Sequence, residues 1–167
     1  MKIEILDDFL PLSEFKLLYD FIMGDYFPWY YSDGIYAVPE PRRFQHIHNF
    51  YSFSQGNDGK TSKFEVITPL LQRLKIRSLI RVKANATFKT FLHESGGMHT
   101  DLFNVGPHKT AIYYVNTNNG YTKLRGHGKV KSVANRMLTF DSSLEHTGFT
   151  CTNEKRRVVI NFNYYEG

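Results

Sequence analysis

Short β-rich segments separated by turns occupy the chain from Ser78 onward, and this succession is the strongest constraint on its fold. No amphipathic helical pattern interrupts these segments. Aromatic residues make up 16% of the chain, which favours strands and well-filled interiors. Short strands at this spacing are typical of an antiparallel sandwich or jelly roll and not of a parallel sheet. We therefore expect a mainly β fold with flanking helices.

Turn residues and hydrophobic periodicity divide the chain into predicted elements. Two helices are expected in the first half, one opening at 11–13 with Ser13 as its N-cap, and one over 62–74. Pro69 predicts that the second helix is kinked or begins only at Thr68. Asn118-Asn119-Gly120 predicts a hairpin turn. The predicted strands are 3–6, 30–31, 35–38, 47–53, 79–91, 110–116, 121–124, 129–133, 137–140, 146–150 and 157–165.

The length of 167 residues predicts one domain, in which 1–77 is helical and strand support and 78–167 is a jelly-roll core that carries the site. Cys151 is the one cysteine, so an internal disulfide and a cysteine-based zinc site are excluded. The first residues do not resemble a signal peptide, and no stretch has the length of a membrane span. We therefore expect a soluble, cytoplasmic protein with no membrane partner.

His99-Thr100-Asp101 and, much later, His146 supply the residue types of one kind of metal site. Side chains two positions apart in extended chain point to the same side, so His99 and Asp101 are able to act together. A third ligand must come from a neighbouring strand, and His146 stands at the start of one. Two imidazoles and a carboxylate form the facial triad that holds non-heme Fe(II) and leaves positions open for reactants. The alternative is that these are ordinary polar residues at strand ends.

Arg156 and Arg157 begin the last predicted strand, and a guanidinium offers a planar fork that fits a carboxylate. The net charge of +5 is unevenly spread, because residues 1–60 carry five Lys and Arg against nine Asp and Glu, and residues 61–167 carry sixteen against seven. A positive cleft in the second part would attract an anionic co-substrate, an acidic substrate or nucleic acid. The alternative is a solvated basic surface.

The order of these residues, and of the strands around them, resembles the Fe(II)/2-oxoglutarate-dependent oxygenases, and within them the prolyl-hydroxylase-like branch. The segments that carry the resemblance are 99–101, the Ile-Tyr-Tyr-Val-Asn strand within 111–116, Gly120, 135–141, 146–148 and 157–164. The match runs from about Arg81 onward, and the first half matches only in its strand-helix opening. The resemblance implies a double-stranded β-helix, a distorted, cupin-like jelly roll with a metal at its open end.

The resemblance also implies roles for individual residues. His99, Asp101 and His146 would be the catalytic iron ligands, and one of the two arginines would bind the distal carboxylate of 2-oxoglutarate. Spacing after the second histidine favours Arg156, but strand alternation favours Arg157, whose face of the strand is the more polar. The Arg157 face carries Val159, Asn161 and Asn163, and the Arg156 face carries Val158, Ile160 and Phe162. We therefore expect Arg157 to bind the co-substrate and Arg156 to lie at the surface.

Two further residues are weaker candidates for cofactor binding. Tyr114 matches a tyrosine of the family's Ile-Tyr-Tyr-Leu-Asn strand whose hydroxyl donates to the same carboxylate, although most strand tyrosines are core aromatics. Asn85, on the strand before the histidine–aspartate pair, is a candidate for another co-substrate contact. Arg136 and Asn161 either line the pocket or have a structural role. The aromatic segment 26–53 is either a lid over the site or part of the core.

The function implied by the resemblance is hydroxylation of a C–H bond in a peptidyl or amino-acid substrate. The reaction would use Fe(II), 2-oxoglutarate and O₂, with ascorbate as a candidate reductant, and would release succinate and CO₂. Nucleic-acid demethylating relatives carry a second arginine six residues after the first. This chain has Asn163 there when counted from Arg157, or Phe162 when counted from Arg156, which disfavours nucleic acid as a partner. A non-enzymatic jelly-roll binding module would need no ordered triad. A small metabolite stays open as the substrate, because fold and site chemistry do not fix substrate identity.

Overall fold

Two antiparallel sheets, one of seven strands and one of three, form the body of the computed structural model, which describes residues 2–33, 44–54, 59–102 and 105–167. The elements in chain order are β1 (Glu4–Leu6), α1 (Leu12–Met23), β2 (Tyr30–Asp33), β3 (Phe44–Ser52), a 3₁₀ turn (Phe64–Ile67), α2 (Thr68–Arg73), β4 (Ile76–Phe88), β5 (Lys109–Tyr114), β6 (Tyr121–Leu124), β7 (Gly128–Lys131), β8 (Arg136–Asp141), β9 (His146–Phe149) and β10 (Arg156–Glu166). The prediction of a mainly β fold with flanking helices is confirmed.

The larger sheet has the strand order β1-β8-β5-β10-β4-β3-β2, and the smaller sheet has the order β7-β6-β9. β10 lies at the centre of the larger sheet, where it pairs with β4 on one side and β5 on the other. Strands from 1–77 and from 78–167 share this sheet. Two antiparallel sheets connected in this way form the jelly roll that the strand spacing predicted.

The outer face of the larger sheet is covered by the two helices. Leu18 and Ile22 of α1 and Leu70 of α2 are buried, and they belong to one apolar cluster with Phe162 of β10. Leu18 and Ile22 are four positions apart and therefore lie on one side of α1. Burying each side chain of this size contributes about 1.5–3 kcal/mol, so the cluster stabilises the helices on the sheet.

A second apolar cluster lies between the two sheets. Ile112 and Tyr114 of β5 pack there with Leu124 of β6 and Val130 of β7. Tyr113, between Ile112 and Tyr114 in sequence, belongs instead to the outer cluster, as strand alternation requires. Apolar packing fills only part of the space between the sheets, and the rest is a cavity that both sheets line.

The two helices begin at proline-containing turns. Pro11 occupies the N-cap position of α1 with a φ of −54°, and no side-chain cap bond is present there. The prediction of Ser13 as the N-cap is wrong, because the helix already begins at Leu12 and Ser13 lies within its first turn. α2 begins at Thr68 after the 3₁₀ turn, as Pro69 predicted, since a proline in the first turn lacks only an N–H that the helix does not use.

The predicted hairpin turn at Asn118-Asn119-Gly120 is wrong. β5 belongs to the larger sheet and β6 to the smaller one, so this segment crosses from one sheet to the other. Both edges of β5 are already paired, with β8 and with β10, and no edge is left for β6. The side chain of Asn118 instead accepts a hydrogen bond of 2.9 Å from the backbone N–H of Gly120 and closes the turn locally.

The aromatic segment 26–53 contributes Phe27 and Phe50 to the outer cluster, so part of it is core. The predicted strand at 35–38 lies outside the described residues. In the described part of the chain, no helix is both long enough and apolar enough to cross a bilayer.

Candidate metal centre and its pocket

The three predicted metal ligands converge on one point. One potential ligand atom from each of His99, Asp101 and His146 lies within 4.8 Å of the other two. His146 is the first residue of β9, and its backbone exchanges two hydrogen bonds, of 3.0 and 2.8 Å, with the backbone of His99. This isolated bridge brings the centroids of the two imidazole rings to 4.6 Å.

Backbone carbonyls orient both imidazoles. The Nδ1 atom of His99 lies 3.2 Å from the carbonyl oxygen of Gly97, and the Nδ1 atom of His146 lies 3.3 Å from that of Leu144. A carbonyl only accepts, so each Nδ1 carries the hydrogen and each Nε2 presents a lone pair. This is the arrangement by which outer partners fix the ring orientation of metal-binding histidines.

Asp101 is held by three polar side chains. The Nδ2 amide of Asn163 donates to its Oδ2 atom at 2.9 Å, and the hydroxyl of Thr110 lies 3.5 Å from the same oxygen. The guanidinium of Arg81 lies 3.5 Å from Oδ1. Burial by itself would raise the pKa of Asp101, but His146, Arg81 and Asn163 outweigh burial and hold this pKa below its usual range.

The protonation states of His99 and Asp101 also favour metal binding. Burial, and after it the nearby His146, lowers the pKa of His99 to about 4. His99 is therefore a neutral imidazole and Asp101 an ionised carboxylate at neutral pH, which are the forms that coordinate a metal. Two imidazoles and one carboxylate at these separations fit non-heme Fe(II) with positions left open.

The three residues stand in a cavity of about 730 Å³ between the sheets. Its described lining includes Arg157 of β10, together with Arg81, Lys83 and Asn85 of β4. A cavity of this size, with a few converging polar groups, is typical of small-molecule sites.

Arg157 lies inside the protein and is only 5% exposed. Its Nε donates to the hydroxyl of Ser132 at 2.9 Å, and its Nη2 donates to the hydroxyl of Thr122 at 3.0 Å. A buried arginine beside two hydroxyls is suited to an anionic ligand.

Tyr114 does not line the cavity itself and lies behind Thr122 and Arg157, which do. Its ring is fully buried, its hydroxyl donates to Thr122 at 2.7 Å, and its ring centroid lies 5.6 Å from the guanidinium carbon of Arg157. Thr122 thus accepts from both Tyr114 and Arg157, so its own hydroxyl hydrogen is not used in either bond. A direct contact between Tyr114 and a co-substrate stays a prediction.

Two glycines leave room for the Arg157 side chain. A Cβ atom on Gly120 would lie 2.7 Å from Cδ of Arg157 and 2.8 Å from the carbonyl oxygen of Phe149. A Cβ atom on Gly148 would lie 3.2 Å from Nη1 of Arg157. Gly120 is therefore required for close approach and not for a hairpin conformation.

Arg156 points to the other face of β10, as strand alternation requires. Its Nη2 donates to the backbone carbonyl of Met23, at the end of α1, at 2.6 Å. Arg136 also lies away from the cavity lining, where its guanidinium pairs with Asp7 through a 2.6 Å hydrogen bond.

Several polar atoms of the cavity wall have no hydrogen-bond partner among the described residues. They are Oδ1 of Asn85, Oγ1 of Thr87 and Oδ1 of Asn161. Buried polar groups are nearly always hydrogen-bonded, so these three atoms are positions for hydrogen bonds with ordered water or with a polar ligand in the cavity. Asn85 and Asn161 thus line the pocket, while their ligands stay predictions.

Thr122, Ser132 and Lys83 were not predicted as site residues, and Asn163 entered the prediction chiefly as the position of an absent arginine. Lys83 was within reach of sequence reasoning, because it lies two positions from Asn85 and therefore on the same face of β4. Thr122 and Ser132 belong to the smaller sheet and the loop after it, and only the tertiary fold brings them to Arg157.

No protein-family model and no curated protein matches the sequence. Solved structures do match. The chain is similar to a prolyl hydroxylase from Trichoplax adhaerens, in complex with a hypoxia inducible factor oxygen degradation domain peptide fragment, with 19% identity, a TM-score of 0.67 and coverage of 98% of this chain and 83% of that one. It is also similar to a Pseudomonas putida prolyl-4-hydroxylase, with 15% identity, a TM-score of 0.60 and coverage of 99% and 93%.

A third match shows that this fold also serves other reactions. The epimerase SnoN, solved in complex with Fe3+, alpha ketoglutarate and nogalamycin RO, has 8% identity, a TM-score of 0.66 and coverage of 98% of this chain and 78% of that one. At these identities the matches establish the fold. The chain has the fold of the 2-oxoglutarate- and Fe(II)-dependent oxygenases, including their prolyl-hydroxylase-like branch, and the predicted resemblance is confirmed at that level.

Proposed function

We propose that the protein is an Fe(II)- and 2-oxoglutarate-dependent dioxygenase that hydroxylates a C–H bond of a peptidyl or amino-acid substrate. The observation that carries this proposal is that His99, Asp101, His146 and the buried Arg157 all line one cavity. A facial triad and a guanidinium fork are the two parts that such an enzyme needs from its protein.

Iron and co-substrate would supply the oxidation, in which O₂ is consumed, 2-oxoglutarate becomes succinate and CO₂, and a substrate C–H bond becomes C–OH. His99, Asp101 and His146 would hold the metal, and the cavity that all three line has room for the reactants. Asn163 and Arg81 contact the carboxylate of Asp101 and would hold it in one orientation for the metal.

Arg157 would bind the distal carboxylate of 2-oxoglutarate. Ser132 and Thr122 hold its guanidinium in one orientation, and the hydroxyl hydrogen of Thr122 would add a second donor to the same anion. Asn85, which lies on the neighbouring strand β4 and lines the same cavity, would contact the same co-substrate. Because these donors are already held in place before binding, less conformational entropy is lost when the co-substrate binds.

Peptidyl or amino-acid hydroxylation is favoured over the two alternatives. Where nucleic-acid demethylating relatives carry a second arginine, Asn163 here donates to Asp101. A binding module without catalysis would gain nothing from a buried triad whose histidine and carboxylate are poised to coordinate a metal. The Trichoplax adhaerens neighbour was solved with a peptide fragment, which supports a peptidyl substrate by analogy of fold only.

The experiment is anaerobic titration of the protein with Fe(II) and 2-oxoglutarate. We expect the weak visible charge-transfer band of the iron–2-oxoacid chelate, and calorimetry should show that 2-oxoglutarate binds only after the metal. His99→Ala should abolish the band, while Arg156→Ala, on the other face of the sheet, should retain it. If neither a band nor heat of 2-oxoglutarate binding is found for the metal-loaded protein, the proposal is wrong.

A further inference from the structure

The cavity wall holds a cation that neither the metal nor the distal carboxylate of the co-substrate requires. Arg81, Lys83, Asn85 and Thr87 alternate along β4 and all line the cavity. Arg81 is occupied with Asp101, which its Nη2 approaches at 3.5 Å, and with Asn163, to which its Nε donates at 3.1 Å. In the part of the chain that the structure describes, Lys83 forms no such ion pair or hydrogen bond.

Lys83 is half-buried in the cavity wall, and among the described residues its ammonium has neither a hydrogen-bond acceptor nor an ion-pair partner. Burial, and after it the charge of Arg81, lowers the pKa of Lys83 to about 8. An ammonium drawn partly out of water is costly, and Asp101 offsets this cost only in part, since the pKa of Lys83 stays lowered. An anion that enters the cavity would remove that cost.

An unpaired acceptor lies directly across the sheet from Lys83. Asn161 of β10 is its register partner, and the Oδ1 atom of Asn161 is buried without a hydrogen-bond partner in the described structure. The cavity wall therefore presents a cation and a hydrogen-bond acceptor side by side. A molecule that carries a carboxylate close to an N–H group complements this pair.

The Lys83 position is separate from the site assigned to the co-substrate's distal carboxylate. Arg157 pairs with Thr87 in the β10–β4 register, four residues along β4 from Lys83. At about 3.3 Å per residue, the two backbone positions are roughly 13 Å apart. Lys83 instead lies toward the metal ligands, because Arg81, two residues away on the same face of β4, approaches Asp101 at 3.5 Å.

We propose that Lys83 binds a free carboxylate of the primary substrate and that Asn161 accepts a hydrogen bond from an adjacent N–H group. This inference rests on the proposed function and narrows it. The substrate is then a free amino acid, or the C-terminal residue of a peptide, and not an internal residue of a polypeptide. An internal residue carries an amide in place of the carboxylate and leaves Lys83 without an anion.

The test uses matched pairs of probes on the protein loaded with Fe(II) and 2-oxoglutarate without O₂. Each L-amino acid is compared with its primary amide, and short proline-containing peptides are compared with their C-terminally amidated forms. Binding is measured by calorimetry and by the shift in Tm, and succinate release is then measured in air. We expect at least one acid to bind about tenfold or more tightly than its amide, because the ionised group gains a charge-assisted hydrogen bond.

Variants of Lys83 test whether the preference for the acid over the amide depends on this residue. Lys83→Gln should remove the preference for the acid while changing 2-oxoglutarate affinity by less than about threefold, and Lys83→Arg, which keeps the charge, should retain the preference. Lys89→Gln, at an exposed lysine just after β4, is the matched control and should behave as the wild type. Circular dichroism checks that each variant folds.

Three results would overturn the inference: amides that bind as tightly as acids, an absence of binding by every acid in the panel, or a Lys83→Gln variant that loses 2-oxoglutarate affinity. The last result would assign Lys83 to the co-substrate. Failure of the proposed function is distinguishable from all three, because the wild-type metal-loaded protein would then not bind 2-oxoglutarate in the first place.

Discussion

Two adjacent arginines at the start of β10 point to opposite faces of the larger sheet and have different surroundings. Arg157 is buried beside Ser132 and Thr122 in the cavity, whereas Arg156 donates to the carbonyl of Met23. The chemistry of the two side chains is the same, so the face of the strand alone decides which of them is able to reach a bound anion.

Replacing each arginine by alanine tests which of the two binds 2-oxoglutarate. We expect Arg157→Ala to weaken binding of 2-oxoglutarate to the metal-loaded protein by roughly 2–5 kcal/mol, because a desolvated carboxylate would lose its charged partner. Arg156→Ala should change this affinity little, although it loses one hydrogen bond to α1. Calorimetry on both variants measures the difference, and equal losses would show that Arg157 is not the carboxylate ligand.

Gly120 leaves room for the Arg157 side chain. It should therefore affect the binding of 2-oxoglutarate without contacting 2-oxoglutarate itself. A methyl group there would lie 2.7 Å from Cδ of Arg157 and 2.8 Å from the backbone oxygen of Phe149, so one of the two has to move. We expect Gly120→Ala to lower 2-oxoglutarate affinity and Tm together. Gly126→Ala, in the β6–β7 loop where a Cβ meets nothing within 4 Å, is the control, and it should leave 2-oxoglutarate affinity unchanged even if its positive φ of 75° lowers Tm.

At the scale of the element, β3 carries a buried histidine that links stability to pH. His48 packs against Phe27 and Phe50 at ring-centroid distances of 4.8 and 4.7 Å, and its Nδ1 lies 2.9 Å from the carbonyl oxygen of Pro28. Burial lowers the pKa of His48 in the folded protein, which favours the neutral ring.

The sign of the resulting pH dependence follows from linkage. The unfolded chain takes up a proton near pH 6.5, whereas folded His48 does so only at lower pH, so stability is lost as pH falls from about 6.5 toward the folded-state pKa. We expect the free energy of unfolding of the metal-free protein to fall across this window and His48→Gln to reduce the slope. His127→Gln, at an exposed loop position, is the control, and an unchanged slope in His48→Gln would contradict this account.

At the scale of the whole molecule, the net charge of +5 sets what the protein attracts over long distances. Because the positive charge is concentrated in residues 61–167, binding to a polyanion has to be tested directly. Binding to a phosphate backbone weakens steeply as salt rises, whereas a small carboxylate in an enclosed pocket is affected much less.

Succinate release measured at two ionic strengths distinguishes these cases. We expect proline-containing peptides or amino acids to stimulate turnover with little dependence on salt, and methylated oligonucleotides to stimulate it at neither salt concentration. Stimulation by oligonucleotides alone, falling steeply with salt, would replace the proposed substrate class with nucleic acid.

The local sequence pattern was sufficient to predict many of the strands and which residues share a face. The period of two along β4 and β10 assigned Arg157 and Asn161 to one face, and turn residues located the strands from β4 onward to within a few residues. These features depend on neighbours in sequence. The predictions for Ser13 and for the turn at Gly120 were wrong because each considered a local preference without the element it adjoins, a proline that already starts α1 and a strand whose edges are both taken.

Tertiary structure alone decided the rest. The sequence supplied His99, Asp101 and His146 as ligand types in a suggestive order, but their convergence within 4.8 Å depends on a backbone bridge between segments 47 positions apart. Likewise, Thr122 and Ser132 reach Arg157 only because β5 crosses to β6 in the other sheet. Contacts between distant segments depend on how whole sheets pack, and no local periodicity encodes that packing.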